Sequence, residues 1–427
     1  MLRCTRSSVL VFGLLVSAAV PALAQTGIPA GEAPPAPATG GATDAAPVSD
    51  PNAAPAATPP VAAVTPPAPS ASTGPLKLEG KNANIKLGLL LQPQYSAVSS
   101  PAAGVSGYNQ NLYLRRARIL VGGTVFGKID YFLDTDFPNL FLATPVAGAM
   151  GAANTALKAT PGLNIQDVFA TFHAIGDELK VDVGYMLPPM AHNSLQGAGT
   201  LYSWDYFSLT YQHANAFGAS APPVGRDVGV QLRGLVLNGM LEYRAGMFQG
   251  IRVPATATEI ASRNFFRLTG RVQVNLLDAE TGYFYAGSYL GAKRILSFGL
   301  SGDFQDNYKY FALDGFTDQP LGPGILTAQL NFAHWNGGTT VALAKQSALM
   351  GEAGYNLPVQ DFKVGPIVRF EHLWGSGAVP DRTIFALGAA FWPYGHTSNL
   401  KLFYSRINVT GDNGVNQVNL QWQVYFF

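Results

Sequence analysis

Charged side chains in this sequence recur at every second position inside short apolar runs, and that spacing limits the chemistry open to them. The clearest cases are Arg116 and Arg118, Asp130, Asp134 and Asp136, Lys180 and Asp182, and Arg233. They continue in Glu242 and Arg244, Arg267 and Arg271, and Arg369 and Glu371, with Asp303 and Glu352 of the same kind. Rows of opposite charge on neighbouring strands can do two things. They can set up a transverse field that orients polar solutes and fixes an ion preference. Or they can neutralise one another as a wall network with no part in selection. Arg116 and Arg118 lie on the run before the three aspartates, so a hairpin would bring the two sets face to face.

Covalent or metal chemistry has little support. The six histidines are His173, His192, His213, His334, His372 and His396, and none has an H-E-x-x-H or other metal-ligand spacing. No G-x-S-x-G elbow or phosphate-cradling glycine loop is present. Glu371 and His372 are adjacent, which on a strand sends them to opposite faces. His192 and Ser194 could imitate a hydrolase pair, but a structural role is the plainer expectation. No cofactor, no catalytic residue and no metal site is expected.

The elements that hold the charged rows read as strands. Arg267, Thr269, Arg271, Gln273 and Asn275 alternate with Phe266, Leu268, Gly270, Val272 and Val274. The same period of two recurs in 179–185, 227–233 and 418–426, where a helix would need apolar residues every three or four positions. One face is apolar and the other polar, and a lipid-facing Arg or Lys at mid-membrane costs about 2–4 kcal/mol. The charges therefore point inward, and Ile129, Tyr131, Leu133 and Phe137 take the other face of their run. About sixteen strands are expected, starting near Asn84, Leu112, Lys128, Leu163, Glu178, Asp227, Met240 and Phe265, then Lys293, Tyr308, Ile325, Gln346, Lys363, Arg382, Asn399 and Asn416. Lipid offers no partners to a sheet edge, so the strands must close into an antiparallel transmembrane β-barrel. At this strand number a barrel leaves an aqueous channel. Tight turns fit at 125–128 and at Leu237-Asn238-Gly239, whose Asn-Gly pair suits a type I′ turn. Long connections fall at 139–162, 188–225, 250–263 and 375–381.

The rest of the chain is read by composition. Only 12% of residues are charged while 48% are hydrophobic, yet no apolar run long enough for a membrane-spanning helix follows the first 25 residues. Residues 1–24 read as a secretory signal: Arg3 and Arg6, an apolar run from Val9 to Val20, then Ala22-Leu23-Ala24. The single cysteine, Cys4, lies within it. Residues 25–75, rich in Ala, Pro, Thr and Gly, cannot bury enough apolar area to order themselves. They are expected to form a disordered periplasmic linker, with cell-wall contact as its sharper role. The barrel region is 76–427. Setting aside Arg3 and Arg6, and Glu32, Asp44 and Asp50 of the linker, 25 basic and 23 acidic residues remain. That balance argues against nucleic-acid binding and for weak ion selectivity. Tyr113, Tyr131, Tyr185, Trp374, Trp392, Tyr404 and Trp422 are candidates for interfacial aromatic girdles. The run Val418, Leu420, Trp422, Val424 and Phe426 resembles the terminal strand read by the outer-membrane assembly machinery, although Phe427 falls on the polar parity.

Several short motifs occur in order along this region. They are Leu112-Tyr113-Leu114-Arg115-Arg116-Ala117-Arg118, Gly123-Thr124-Val125-Phe126-Gly127 and Tyr131-Phe132-Leu133-Asp134. Gly184-Tyr185-Met186-Leu187-Pro188-Pro189, Gly225-Arg226-Asp227-Val228-Gly229-Val230, Gly282-Tyr283-Phe284-Tyr285-Ala286-Gly287 and Gly354-Tyr355-Asn356-Leu357-Pro358 complete the set. In this order they resemble the phosphate-selective porin O/P family, over nearly all of 84–427. The resemblance implies a sixteen-stranded, typically homotrimeric porin of the Gram-negative outer membrane, with a constriction loop folded inward. Phosphate-selective members use a basic eyelet. Here 188–225 has no Lys or Arg, only His192, Asp205 and His213 as ionisable groups, so phosphate selectivity is not carried over. The expected function is passive diffusion of small hydrophilic solutes or ions, with 188–225 narrowing the lumen. The alternatives are a phosphate or oxyanion channel and, from another class, an outer-membrane enzyme or a secreted soluble β-protein.

Overall fold

The computed structural model describes residues 76–100, 106–145, 156–158, 162–207, 225–252, 265–341 and 343–427. The expected signal and linker lie outside these residues. A short strand, β1 (Leu76–Glu79), precedes β2 (Asn84–Ser99), β3 (Tyr108–Val125) and β4 (Ile129–Asp136). A small hairpin of β5 (Ala143–Pro145) and β6 (Ala156–Lys158) stands apart as its own two-stranded sheet. Then come β7 (Asn164–Ile175), β8 (Leu179–Met186), β9 (Asp227–Val236), β10 (Leu241–Phe248) and β11 (Arg267–Asn275). The series ends with β12 (Ile295–Gln305), β13 (Tyr308–Leu321), β14 (Gly324–Asn336), β15 (Gln346–Val359), β16 (Phe362–Trp374), β17 (Arg382–Tyr394), β18 (Ser398–Val409) and β19 (Val415–Phe426).

From β2 onward, each strand of the main sheet pairs antiparallel with the next one in the chain. The last strand, β19, returns to β2 with Leu420 opposite Tyr95 and Gln421 opposite Gln94. Sixteen strands thus form a closed ring with no free edge, the condition a lipid environment sets on a sheet. Strand β1 continues the edge of β2 past the last β19 pair, with Leu76 opposite Leu87.

Parity sorts the side chains as alternation requires. Leu300 and Leu330 are 55% exposed on the outer face, whereas Arg267, Gln273 and Asp303 are 0% exposed within. An apolar belt on the outside and a polar inside is the signature of an outer-membrane barrel. The expected starts at Asp227, Tyr308, Gln346 and Arg382 coincide with observed ones. The largest difference is β3, which starts at Tyr108 rather than Leu112. The added residues pair with β2 as far as Ser99 opposite Tyr108 and are mostly exposed and polar, so they carry no apolar alternation to read. Two girdle candidates, Trp374 and Trp422, are half-exposed on the outer face. Trp392 is a correction: it is 1% exposed and points inward, because Phe391 takes the outward position of β17.

The turns split the barrel into two ends. One end carries the tight turns; at Phe126-Gly127 both central φ values are positive, 53° and 65°, as a type I′ hairpin turn demands. The second expected turn is centred one residue earlier than the Asn-Gly pair. Its central residues are Leu237 and Asn238 (φ 55° and 59°), with Gly239 N–H donating to the Val236 carbonyl at 3.1 Å. The other end carries the long connections, together with the two-residue turn at Asp306-Asn307. One long segment was not foreseen: 276–294 joins β11 to β12 at the tight-turn end, and its Tyr/Phe alternation reads like one more strand.

Candidate functional site: two inward segments in the lumen

Strand register sets four basic residues side by side on the inner wall. Lys180 faces Arg233, Arg233 faces Arg244, and Arg244 faces Arg271, across β8 to β11. Like charges directly opposite repel, so each must be neutralised. Lys180 pairs with Asp177 at 2.6 Å, Arg233 with Asp182 at 2.9 Å, and Arg244 with Glu242 at 2.7 Å. Arg271 holds both oxygens of Asp314, at 2.6 and 2.8 Å. The guanidinium faces also carry aromatic rings. Tyr283 lies 5.3 Å from Arg233 and 5.6 Å from Arg244, and Tyr285 lies 4.7 Å from Arg244 and 5.5 Å from Arg271. These cation–π contacts dock the unforeseen segment 276–294 onto the wall from the tight-turn end.

From the opposite end, 187–207 folds in and lies against the wall of β13 to β19 and β2. Its main-chain carbonyls are taken by wall donors. Lys401 Nζ donates to the carbonyls of Leu201 (2.7 Å) and Ser203 (3.0 Å). Gln423 donates to Gly199 (2.8 Å), Gln421 to Trp204 (3.2 Å), and Arg369 to both Asp205 and Tyr206. Trp392 stacks parallel to Tyr202. Fixing this many carbonyls makes the segment part of the wall.

Asp205 anchors the segment to β3 through Arg115 (2.8 Å) and Arg116 (2.6 Å). Burial alone would raise its carboxyl, but the two guanidinium groups hold it well below the usual carboxylate range. A depressed carboxyl stabilises the folded state above its ordinary value and loses that contribution as pH falls through the folded value. The clamp is therefore complete at neutral pH and weakens only below about pH 4. Single-channel conductance should hold steady down to that point, and Asp205→Asn should show at neutral pH the noise that wild type shows only in stronger acid.

The two inward segments meet in a seam. Tyr285 N–H donates to the Leu195 carbonyl (3.0 Å), Gly197 N–H to the Tyr285 carbonyl (2.9 Å), and Gly287 N–H to the Thr200 carbonyl (2.9 Å). Tyr283 OH donates to the Leu187 carbonyl (2.8 Å). His192 crosses the seam: its Nε2 lies 2.9 Å from Glu280, its Nδ1 3.1 Å from Gln196, and its ring is stacked between Tyr285 and Phe316. Both ring nitrogens are thus engaged away from Ser194, which gives no activated nucleophile. Among the described residues no group of three or more His, Cys, Asp or Glu side chains is placed to hold a metal ion.

The charged candidates fall into pairs rather than a free belt. Arg118 bonds Asp134 (2.8 Å) and Asp136 (3.1 Å) across the β3–β4 hairpin, but Arg116 turns to Asp205 instead. Asp130 meets His173 (2.7 Å) and Thr124 (2.7 Å). Arg267 pairs with Asp303 at 2.6 Å and Arg369 with Glu371 at 2.6 Å. All but Asp130 are buried. Asp167 and Arg226 were missed; they form a two-pronged pair at 3.0 and 2.9 Å. The available signal was the Gly225-Arg226-Asp227 motif, where Arg226 precedes its strand. Between the seam and the tight-turn end, the wall of β2 to β9 bounds a cavity of about 580 Å³. Its charged lining is six basic groups (Lys86, Arg118, Lys180, Arg226, Arg233, Lys293) and three acidic ones (Asp130, Asp134, Asp167).

No protein-family model and no curated protein matches this sequence. Among solved structures, the chain is similar to an anion-selective porin from Comamonas acidovorans (TM-score 0.51, 12% identity, 81% of this chain and 100% of the other covered). It is also similar to the outer-membrane channel DcaP of Acinetobacter baumannii (TM-score 0.49, 10% identity, 82% and 99% covered). A third is the outer-membrane protein OmpT of Vibrio cholerae, described in a trimer form (TM-score 0.47, 11% identity, 81% and 100% covered). At these identities the likeness concerns the fold, and the structural neighbours are outer-membrane porins and channels.

Proposed function

We propose that the protein is an outer-membrane diffusion porin, passing small hydrophilic solutes through a lumen narrowed from both ends. The observation that carries this is the closed sixteen-stranded ring with an apolar exterior and a charged interior, a size at which side chains alone do not fill the barrel. The inward segments supply the narrowing, one along β13 to β2, the other over the basic row. Solutes then follow the wall of β2 to β9. Of the sequence candidates, Arg118, Asp130, Asp134, Lys180 and Arg233 line that path, joined by Asp167 and Arg226; the other candidates hold the wall and the segments together. Mutual pairing of these charges supports weak ion selectivity. The six-to-three basic excess at the cavity supports a second reading, an oxyanion channel, to which the likeness to the phosphate-selective family also leans. A homotrimer fits either.

Planar-bilayer recording of the purified full chain under a salt gradient decides between the two. Reversal potentials giving an anion-to-cation permeability ratio close to unity, with chloride current unaffected by phosphate, support the general porin. Strong anion preference with phosphate block supports the second reading. Absence of conductance from a correctly inserted barrel rejects both.

A further inference from the structure

Apolar surface in a water-filled passage is costly, yet the cavity between the seam and the tight-turn end is built around an aromatic cluster. Phe132 is its centre, with ring centroids 5.7 Å from Phe169, 5.6 Å from Phe284 and 5.5 Å from Phe427. Tyr283 extends the cluster at 4.3 Å from Phe169. Leu90 and Leu120 occupy inward positions where the strand rule expects polar residues. Phe427 lies inward over Gly88 and Gly122, where any Cβ would come within 2.7 Å of it; the two glycines make room for the ring.

The charged groups around this patch are sorted by partner. Arg118, Arg226, Arg233 and Lys180 each have a carboxylate at hydrogen-bond distance. Among the described residues Lys86 and Lys293, which line the cavity, have no carboxylate in ion-pair range; Lys293 Nζ donates to the Ala279 carbonyl at 3.0 Å and lies 5.4 Å from the Tyr289 ring. Each lining acid, in contrast, has a cation or histidine partner. A cavity of this volume, with an aromatic patch set among placed charged groups, has the form of a small-molecule site.

We propose that this cavity binds small organic anions, molecules with a flat apolar body and one acidic group, entering from the tight-turn end. The body lies against Phe132 and Phe284, and the acid meets Lys86 and Lys293. This deepens the porin reading by naming a favoured solute class.

The test is titration calorimetry of the detergent-solubilised full chain with benzoate, acetate and benzyl alcohol. Benzoate should bind at least about tenfold more tightly than either, because acetate lacks the ring and benzyl alcohol the charge. Phe284→Ala should weaken benzoate about tenfold, and Lys293→Gln, which removes no ion pair among the described residues and leaves a side chain able to donate to the Ala279 carbonyl, should weaken benzoate but leave benzyl alcohol unchanged. Equal binding of benzoate and acetate, or benzoate binding indifferent to Lys293→Gln, overturns the proposal. Conductance of the same preparation is read separately: an open channel without benzoate preference rejects the site alone, and benzoate preference without conductance rejects the porin alone.

Discussion

Arg271→Ala should lower the stability of the folded barrel by about 3 kcal/mol or more, the loss seen when one partner of a buried ion pair is removed. Arg271 is 2% exposed and Asp314 is buried with it. The guanidinium holds both Asp314 oxygens, the Met190 carbonyl at 3.1 Å, Ser301 Oγ at 3.0 Å and Gln273 Oε1 at 2.6 Å. Its loss leaves the Asp314 carboxylate with the His192 main-chain N–H, 3.1 Å away, as its remaining partner of that kind. It also removes one of the two donors to the Met190 carbonyl, leaving Ser301 Oγ at 2.9 Å. Arg271→Lys should recover only part of the loss, because an ammonium cannot hold two carboxylate oxygens in parallel. Urea titration of folding into lipid vesicles measures the effect. In a double-mutant cycle, Asp314→Ala added to Arg271→Ala should cost much less than Asp314→Ala in wild type. A loss below about 1 kcal/mol for Arg271→Ala would show a wet, screened pair instead.

The same residue shows what could be read before any coordinates. Alternation around Arg271 was enough to turn it inward, because a strand has only two faces and lipid refuses one of them a charge. The ring of sixteen followed from repeating that inference, and starts such as Asp227 and Gln346 were legible because apolar alternation begins there. Partners were less legible. Arg118 found Asp134 because a hairpin fixes which residues face each other, but Arg116 left its neighbour strand for Asp205, on a segment whose path no periodicity records. Asp167 lies on β7, but its partner Arg226 precedes β9, so no strand register pairs the two. The segment 276–294 hid most completely. Tyr283 and Tyr285 alternate with Phe284 as in a strand, and only their docking on three arginines, set side by side by register, shows that they lie within the lumen. Likewise Trp392 looked like a girdle residue, since aromatic identity says nothing of face until the parity of β17 is known.

The seam between the two inward segments predicts the largest change in conduction. Gly287→Val should raise single-channel conductance on the order of twofold and broaden its noise, since the lumen of a sixteen-stranded barrel is wide once it is not filled. A Cβ at Gly287 would meet Tyr202 N at 2.5 Å, and Leu201 Cα and Thr200 O at 2.9 Å. All three are main-chain atoms, so no side-chain rotation relieves the clash, and the Gly287 N–H bond to Thr200 must open. The wall donors Lys401, Gln423 and Arg369 keep 199–206 in place, and Ser288 Oγ (2.7 Å) and Tyr289 N–H (2.9 Å) tie the other segment to Asp318, so what yields is the seam between them. Gly270→Ala is the control: its Cβ would meet only the Arg244 carbonyl at 3.9 Å, so conductance should stay at the wild-type level. Heat-modifiable gel migration confirms that each variant forms a barrel. If Gly287→Val folds and conducts as wild type does, the seam does not limit flow, and the narrowing rests on the 187–207 segment alone.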